Sequence, residues 1–189
     1  MGVESLLLDS RLRRRLQSPF ELLQALGLAE GHTLLDVGCG TGFLTIPAAE
    51  IVGAAGRVYA VDVNKGYLEK LVRRLKEKNL YNVVVVEGDA ADMRHVPDAS
   101  ADRAVMLLSL HHINNWRGAL EQVYRKLKDG GLFLIADPIK TRLLGHGTMP
   151  KQVLGALDEI GFERLSYTKR LFTWRALLRK PTSTTGGLP

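Results

Sequence analysis

The sequence predicts an α/β protein built on a doubly wound sheet of about seven strands, with helices on both faces. Short runs rich in Val, Leu and Ile alternate with longer segments in which apolar residues recur at helical spacing. A mostly parallel sheet flanked by helices is the usual architecture for that alternation. The chain has 189 residues, of which 46% are hydrophobic, so it can bury a core of its own. We expect a single domain over residues 1–180.

Each of five predicted parallel strands is short, apolar and followed by residues that favour turns. These strands are Thr33–Val37, Arg57–Asp62, Val83–Glu87, Arg103–Leu108 and Leu132–Asp137. Towards the C-terminus, two further strands, Phe162–Tyr167 and Phe172–Leu178, are separated only by residues 168–171. So short a connection predicts an antiparallel hairpin.

Apolar residues recur at helical spacing in two segments, Leu68–Leu75 and Trp116–Leu127. Gly130, within Asp-Gly-Gly, is expected to end the second helix in a left-handed conformation. A third helix is expected to begin at Pro150 and to end at Gly161. Two short helices within residues 1–30 are expected to cover the site, and residues 181–189, rich in Thr, Gly and Pro, are expected to be disordered.

Composition limits the classes of protein that fit. No apolar run reaches the ~18 residues that would span a bilayer, and the start of the chain lacks the pattern of a secretory leader, so we expect a cytoplasmic protein without a membrane partner. The single cysteine, Cys39, cannot form an internal disulfide, and no metal site is predicted. The net charge of +6 lies in the C-terminal part, where residues 140–189 carry 9 basic and 3 acidic residues. That surplus fits either solubility or an anionic partner such as nucleic acid.

The segment from Leu34 to Leu44 is the most informative stretch. It places a buried strand, three glycines at alternate positions and the start of a helix in immediate succession. Glycine lets the backbone bend tightly and approach a ligand at the carboxyl end of the strand, so we predict a close-fitting cofactor. A nicotinamide dinucleotide fits less well, because its G-x-G-x-x-G fingerprint needs glycine where Phe43 stands.

Asp36, Gly38, Gly40 and Gly42 match the pattern acidic-x-G-x-G-x-G. Here the chain resembles the class I S-adenosylmethionine-dependent methyltransferases, which have a Rossmann-like fold. The resemblance covers roughly residues 30–137 and is greatest to the small-molecule, quinone-type branch, also described as methyltransferase type 11. It implies S-adenosylmethionine as cofactor, S-adenosylhomocysteine as product, and transfer of a methyl group to a small molecule by in-line displacement.

The resemblance also implies which residues hold the cofactor. The glycine loop and Asp36 would hold its amino acid part, and Val63 would lie against the adenine. Asp89 would accept a hydrogen bond from the adenine amino group. Asp62 ends the second strand, where its carboxylate either accepts from two ribose hydroxyls or caps the helix that starts near Lys65. The expected cofactor-binding residues are Asp36, Gly38, Cys39, Gly40, Gly42, Asp62, Val63, Gly88, Asp89, Ala90 and Leu108.

Two adjacent histidines follow the fourth predicted strand. Methyl transfer mainly requires positioning and exclusion of water, so a general base is optional. His111 is the candidate base, and at most one of the two neighbouring rings is expected to face the substrate. The residues expected on the substrate side are His111, His112, Lys140, Arg142 and His146. For the last three, a solvated basic loop is an equally good interpretation.

Other functions stay open at this point. An RNA- or protein-directed methyltransferase would use the basic C-terminal surface and the arginines between Arg11 and Arg15. However, the sequence lacks the Asn or Asp followed by two prolines and an aromatic residue that marks methyltransferases acting on amines. A non-catalytic subunit that binds S-adenosylmethionine is a third interpretation. The uncovered edge strands and the N-terminal helices are compatible with a homodimer.

Overall fold

A computed structural model describes residues 18–140 and 147–183 of the chain. Its seven strands form one sheet in the order β3-β2-β1-β4-β5-β7-β6. The strands are β1 Thr33–Val37, β2 Arg57–Asp62, β3 Val83–Glu87, β4 Ala101–Leu107, β5 Leu127–Pro138, β6 Glu163–Lys169 and β7 Thr173–Arg179. The helices are α1 Pro19–Ala25, α2 Thr45–Val52, α3 Lys65–Glu77, α4 Trp116–Lys126 and α5 Pro150–Ile160, with a 3-10 turn at Leu110–His112.

Strands β1 to β5 are parallel to one another, whereas β7 is antiparallel to both β5 and β6. This confirms the mostly parallel sheet with an antiparallel C-terminal hairpin. Consecutive residues of a strand point to opposite faces, so Leu34 packs with α1 and α2, and Leu35 with α4 and α5. Helices therefore cover both faces of the sheet, as predicted.

The predicted start and end of the third helix, at Pro150 and Gly161, are confirmed, and helices α1 and α3 have side-chain caps that were not predicted. Ser18 caps α1 and Asn64 caps α3, because each side chain accepts from a backbone amide of the first turn. Pro150 begins α5, and Gly161 follows its last residue with a left-handed φ of 108°. Among the described residues, no helix combines the length and the apolar character that crossing a membrane requires.

The predicted end of the second helix is wrong. Helix α4 ends at Lys126, and β5 begins at once with Leu127, which pairs with Ala101 of β4 and is fully buried. Gly130 has a positive φ of 74° but lies within β5, where its amide donates to the carbonyl of Lys180. Strand pairing and burial of Leu127 thus outweigh the glycine signal for a helix cap.

Smaller differences concern the other strand ends. Leu108 lies beyond the end of β4, although it was predicted to be part of that strand. The two hairpin strands, β6 and β7, each begin one residue later than predicted. Several predictions fall outside the described residues: the first N-terminal helix, the arginines Arg11 to Arg15, Arg142, His146 and residues 184–189. Ser183 is described, and its hydroxyl donates to Asp129.

Candidate cofactor and acceptor site

The site lies where the chain reverses its direction of winding. From β1 the chain proceeds outwards to β2 and β3, and then returns to add β4 on the other side of β1. Open parallel sheets bind ligands in the crevice at the carboxyl ends of strands at such a point. The glycine loop follows β1 and Ser109 follows β4, so these segments form the two sides of the crevice. The Ser109 hydroxyl donates to the carbonyl of Val37 at 2.9 Å.

The three glycines of the loop all have positive φ, but they are required for different reasons. An added Cβ at Gly38 would lie 2.3 Å from the Cβ of Ser109, and one at Gly42 would lie 2.5 Å from a methyl of Leu71. At Gly40, nothing lies within 4 Å of the same position. Gly38 and Gly42 therefore permit close packing inside the protein, whereas the backbone at Gly40 faces open space where a ligand can lie.

Asp62, at the end of β2, holds the glycine loop. One carboxylate oxygen accepts from the amide of Gly40 and the other from the amide of Asn64, both at 2.8 Å. The interpretation of Asp62 as the helix cap is wrong, because the side chain of Asn64 takes that place. Each carboxylate oxygen can accept more than one hydrogen bond, so the bond to the loop is compatible with ribose binding.

Asp36 is buried beneath the loop. Its carboxylate accepts from the hydroxyl of Thr45, the first residue of α2, at 2.6 Å. The pKa of Asp36 is raised to about 7, mainly because the carboxyl group is buried. The hydrogen bond from Thr45 lowers the pKa, and the negative charge of Asp62 raises it. The carboxyl group therefore changes charge close to neutral pH, beside the place where a cationic amino group of the cofactor is expected.

Cys39 points into the protein and packs with Ala60 and Leu71. Burial raises the pKa of its thiol well above the usual value. The negative charges of Asp36 and Asp62 raise this pKa further, by a smaller amount. A protonated, buried thiol is a small packing group. We therefore assign Cys39 to the support of the loop, and any contact with the cofactor falls to its backbone.

The predicted adenine and ribose residues lie at the same edge of the sheet. Asp62 pairs with Glu87 across β2 and β3, and the amide of Gly88 donates to the carbonyl of Asp62. Val63 is 69% exposed, so its side chain is accessible to a ligand at this edge. The Asp89 carboxylate accepts from the amide of Ala91, which fixes the turn after β3. Ala90, by contrast, is buried in the core.

Leu108 lies at the exit of β4, directly before Ser109. It has a positive φ of 54°, which is uncommon for a branched side chain, and its amide donates to the carbonyl of Ala136 at 2.8 Å. The next residue, Ser109, packs against Gly38. Strained backbone of this kind often occurs at functional sites, where the surrounding structure holds it in place.

The two histidines have different surroundings. The Nδ1 atom of His111 lies 2.8 Å from a carboxylate oxygen of Asp137, and both side chains are buried, with 7% and 0% exposure. His112 is exposed, and its ring packs at a tilt against the ring of His111, with 3.9 Å between the ring centroids. Lys140 is exposed after β5. The structure therefore brings His111, but not Lys140, into a buried polar pair.

Sequence reasoning missed Thr45, Ser109 and Asp137 as parts of the site. Asp137 ends the predicted fifth strand, and an acidic residue at the carboxyl end of a buried strand is a signal that could have found it. Its second carboxylate oxygen is buried and has no hydrogen-bond partner among residues 18–140 and 147–183. Ser109 gave no signal of this kind, because its partner Val37 is 72 residues away in the chain.

The sheet order, the glycine loop and the acidic residues at the strand ends define a Rossmann-like protein that binds a nucleoside cofactor at the carboxyl edge. Residues 34–131, more than half of the chain, match the family described as "Methyltransferase domain". The chain belongs to this family, and within it to the class I methyltransferases whose cofactor is S-adenosylmethionine.

Curated relatives extend this result. The demethylmenaquinone methyltransferase of Geobacillus sp. (strain WCH70) is 31% identical over 133 residues, which are 70% of this chain and 56% of the relative. That of Listeria monocytogenes serotype 4b is 30% identical over 136 residues, which are 72% of this chain and 55% of the relative. The matched part of the chain thus spans little more than half the length of these proteins.

Solved structures agree on the fold. An S-adenosylmethionine-dependent methyltransferase from Aquifex aeolicus is 25% identical, with a TM-score of 0.78 over 92% of this chain and 95% of that chain. The [4+2]-cyclase SpnF is 20% identical, with a TM-score of 0.77 over 89% of this chain and 81% of that chain. Because the same fold is found in a cyclase, the reaction has to be argued from the site.

Proposed function

We propose that this chain transfers a methyl group from S-adenosylmethionine to a small-molecule acceptor, and that His111 removes the acceptor's proton. The observation that carries the proposal is the buried His111–Asp137 pair at the carboxyl edge of the sheet. Membership of the methyltransferase family and the names of the curated relatives support a small molecule as the acceptor. Those relatives give no support to transfer to RNA or protein, or to a non-catalytic subunit.

The geometry of the glycine loop supports the binding of S-adenosylmethionine by the predicted cofactor residues. The open space above Gly40 leaves room for the ligand, and the carboxylate of Asp62 lies next to it. Asp36 offers negative charge beneath the loop when it is ionised. In this arrangement the loop and Asp36 bind the amino acid part, and Asp62 binds the ribose. When bound, the cofactor supplies a methyl group activated by its sulfonium charge.

The role of His111 follows from its partner. A carboxylate only accepts hydrogen bonds, so Nδ1 of His111 carries a hydrogen and donates it to Asp137. The basic lone pair is then on Nε2, as in other histidines that are oriented by an aspartate. His111 lies in the turn directly after β4, the strand that neighbours β1 and its glycine loop. This position supports our proposal that His111 is the base on the acceptor side of the cofactor site.

In the proposed reaction, an oxygen, nitrogen or carbon atom of the acceptor forms the new bond to the methyl carbon as the sulfur–carbon bond breaks. The electron pair of the broken bond stays on sulfur. Nε2 of His111 takes the proton that the acceptor loses and returns it to solvent after product release. Buried surroundings exclude water from the pair and keep the imidazole oriented.

The test compares His111→Asn with His95→Asn, in which an exposed histidine outside the site is changed in the same way. Transfer of labelled methyl to a panel of phenols and quinols is measured together with the affinity for S-adenosylhomocysteine. We expect His111→Asn to lose roughly 10²- to 10⁴-fold in kcat with unchanged affinity, and His95→Asn to resemble the unchanged protein. Unchanged kcat in His111→Asn would show that His111 is not the base.

A further inference from the structure

A cleft of about 130 Å³ opens at the carboxyl edge of the sheet, next to the proposed cofactor site. It is bounded by α1, by the ends of β4 and β5, and by the hairpin of β6 and β7. Leu108 forms part of its wall, and Ser109, the next residue, contacts the glycine loop through Gly38 and Val37. The cleft therefore shares a wall with the segment that contacts the glycine loop.

Two arginines from the hairpin line the cleft. Arg170 is held by the turn between the strands, because its amide donates to the carbonyl of Thr173 at 2.8 Å. Arg175 lies on β7 opposite Thr168 of β6, and paired residues of neighbouring strands share a face. The hairpin thus contributes two arginines and two threonines to the lining of the same cleft.

Arg170 and Arg175 have no ion-pair partner in the part of the chain that the structure describes. The other two arginines of the hairpin form ion pairs, Arg164 with Asp158 and Arg179 with Glu163, whereas Arg170 and Arg175 form none with residues 18–140 and 147–183. The cleft contains two carboxylates as well. Asp137 is fully buried and bonded to His111, and Glu21 lies exposed on α1 without an ion pair to either arginine.

We propose that this cleft binds the methyl acceptor, and that Arg170 and Arg175 recognise an anionic group on it, a carboxylate or a phosphate. The inference rests on the proposed function, since it concerns the acceptor of that same reaction. Guanidinium groups match the geometry of both anions with paired hydrogen bonds, and the hydroxyls of Thr168 and Thr173 can donate further ones. The acceptor class is therefore an acid that carries its methyl-accepting atom near Leu108.

Binding of small probes tests this without knowledge of the acceptor. Benzoate, inorganic phosphate and the neutral benzyl alcohol are titrated, each by NMR, into protein saturated with S-adenosylhomocysteine. The test variant carries both Arg170→Gln and Arg175→Gln. The control variant is Arg179→Gln, because Arg179 lies on the same strand and the same face as Arg175 but at the far end of the strand. Saturation by S-adenosylhomocysteine is measured first, so a failure of the proposed function is detected separately.

We expect benzoate or phosphate, but not benzyl alcohol, to shift signals of residues around the cleft. The double variant should weaken that binding at least tenfold, whereas Arg179→Gln and the affinity for S-adenosylhomocysteine should not change. A stronger response to benzoate identifies a carboxylate, and a stronger response to phosphate a phosphate. If S-adenosylhomocysteine binds but neither anion does, or if both bind the double variant equally well, the cleft does not recognise an anionic acceptor.

Discussion

The carboxylate of Asp62 accepts a hydrogen bond from the amide of Gly40 at 2.8 Å, which joins the end of β2 to the loop after β1. The second oxygen of the same carboxylate accepts from Asn64 at the start of α3. One side chain therefore fixes both the loop and the entry to the next helix. Asp62 has a structural role in addition to the ribose contact that we propose for it.

Asp62→Asn should weaken the binding of S-adenosylhomocysteine by about 1.5 to 3 kcal/mol, the range for hydrogen bonds to charged groups. An asparagine has one acceptor oxygen, so it cannot serve Gly40, Asn64 and the ribose together. Calorimetric titration measures the affinity. Asp129→Asn, at the opposite edge of the sheet, is the control and should bind normally. Normal binding in Asp62→Asn would remove Asp62 from the site.

Gly40→Ala and Gly42→Ala should separate ligand binding from folding. A methyl group at position 40 meets no atom, so the cost is that of a positive φ, about 1 kcal/mol, but the added group occupies the proposed ligand space. At position 42 it would lie 2.5 Å from Leu71. We expect Gly40→Ala to lose cofactor affinity with a small change in Tm, and Gly42→Ala to lose more stability. The reverse order in thermal melts would contradict this assignment.

The raised pKa of Asp36 predicts a specific dependence of stability on pH. The folded protein holds this proton up to a pH of about 7, whereas the unfolded chain releases it near 3.8. Because the unfolded state then binds fewer protons, the contribution of Asp36 to stability falls as the pH rises from about 4 to 7, by an amount on the order of 4 kcal/mol. Asp36→Asn should lack this contribution.

Urea unfolding of both proteins between pH 4 and 8 measures the effect. The free energy of unfolding of the unchanged protein, minus that of Asp36→Asn, should decrease across this range. The difference isolates Asp36 from other carboxyl groups, such as Asp98, whose pKa is lowered to about 2 by hydrogen bonds from Lys126 and Arg125. A difference that stays constant with pH would mean that Asp36 is ionised throughout.

Ser109→Ala should destabilise the crevice between β1 and β4. The buried hydroxyl donates to the carbonyl of Val37, and its loss should cost about 1 kcal/mol, or roughly 2 to 4 °C in Tm for a chain of this size. Ser100→Ala is the matched control, because its hydroxyl also donates to a carbonyl, that of Pro97, but at an exposed position. Equal melting temperatures of the two variants would argue against a special role for Ser109.

Local patterns predicted much of the fold. Strands β1, β2 and β3 have the predicted bounds, since each is a short apolar run followed by a clear turn. The start of β5 was not predicted, because the glycine signal at Gly130 is local and the pairing of Leu127 with Ala101 is not. At the start of β5, long-range strand pairing therefore outweighed the local sequence signal.

Some residues of the site could be predicted from local patterns, and others are brought together only by long-range contacts. The glycine loop and Asp62 follow single strands, and their positions could be predicted from the order of strand, turn and helix. The partner of His111 could not, because Asp137 is 26 residues away and meets it only where β4 and β5 lie side by side. Arg170 and Arg175 likewise reach the cleft through the fold of the hairpin, which the sequence pattern does not orient.

Calorimetric titration of the purified chain with S-adenosylhomocysteine, with NAD in a parallel experiment, tests the central claim most directly. We predict one site per chain with a Kd on the order of 1 µM for S-adenosylhomocysteine and no heat from NAD. Gly40→Ala should abolish the heat of S-adenosylhomocysteine binding. A folded protein that shows no binding of S-adenosylhomocysteine, or that binds NAD instead, would contradict the assignment of the glycine loop as an S-adenosylmethionine site.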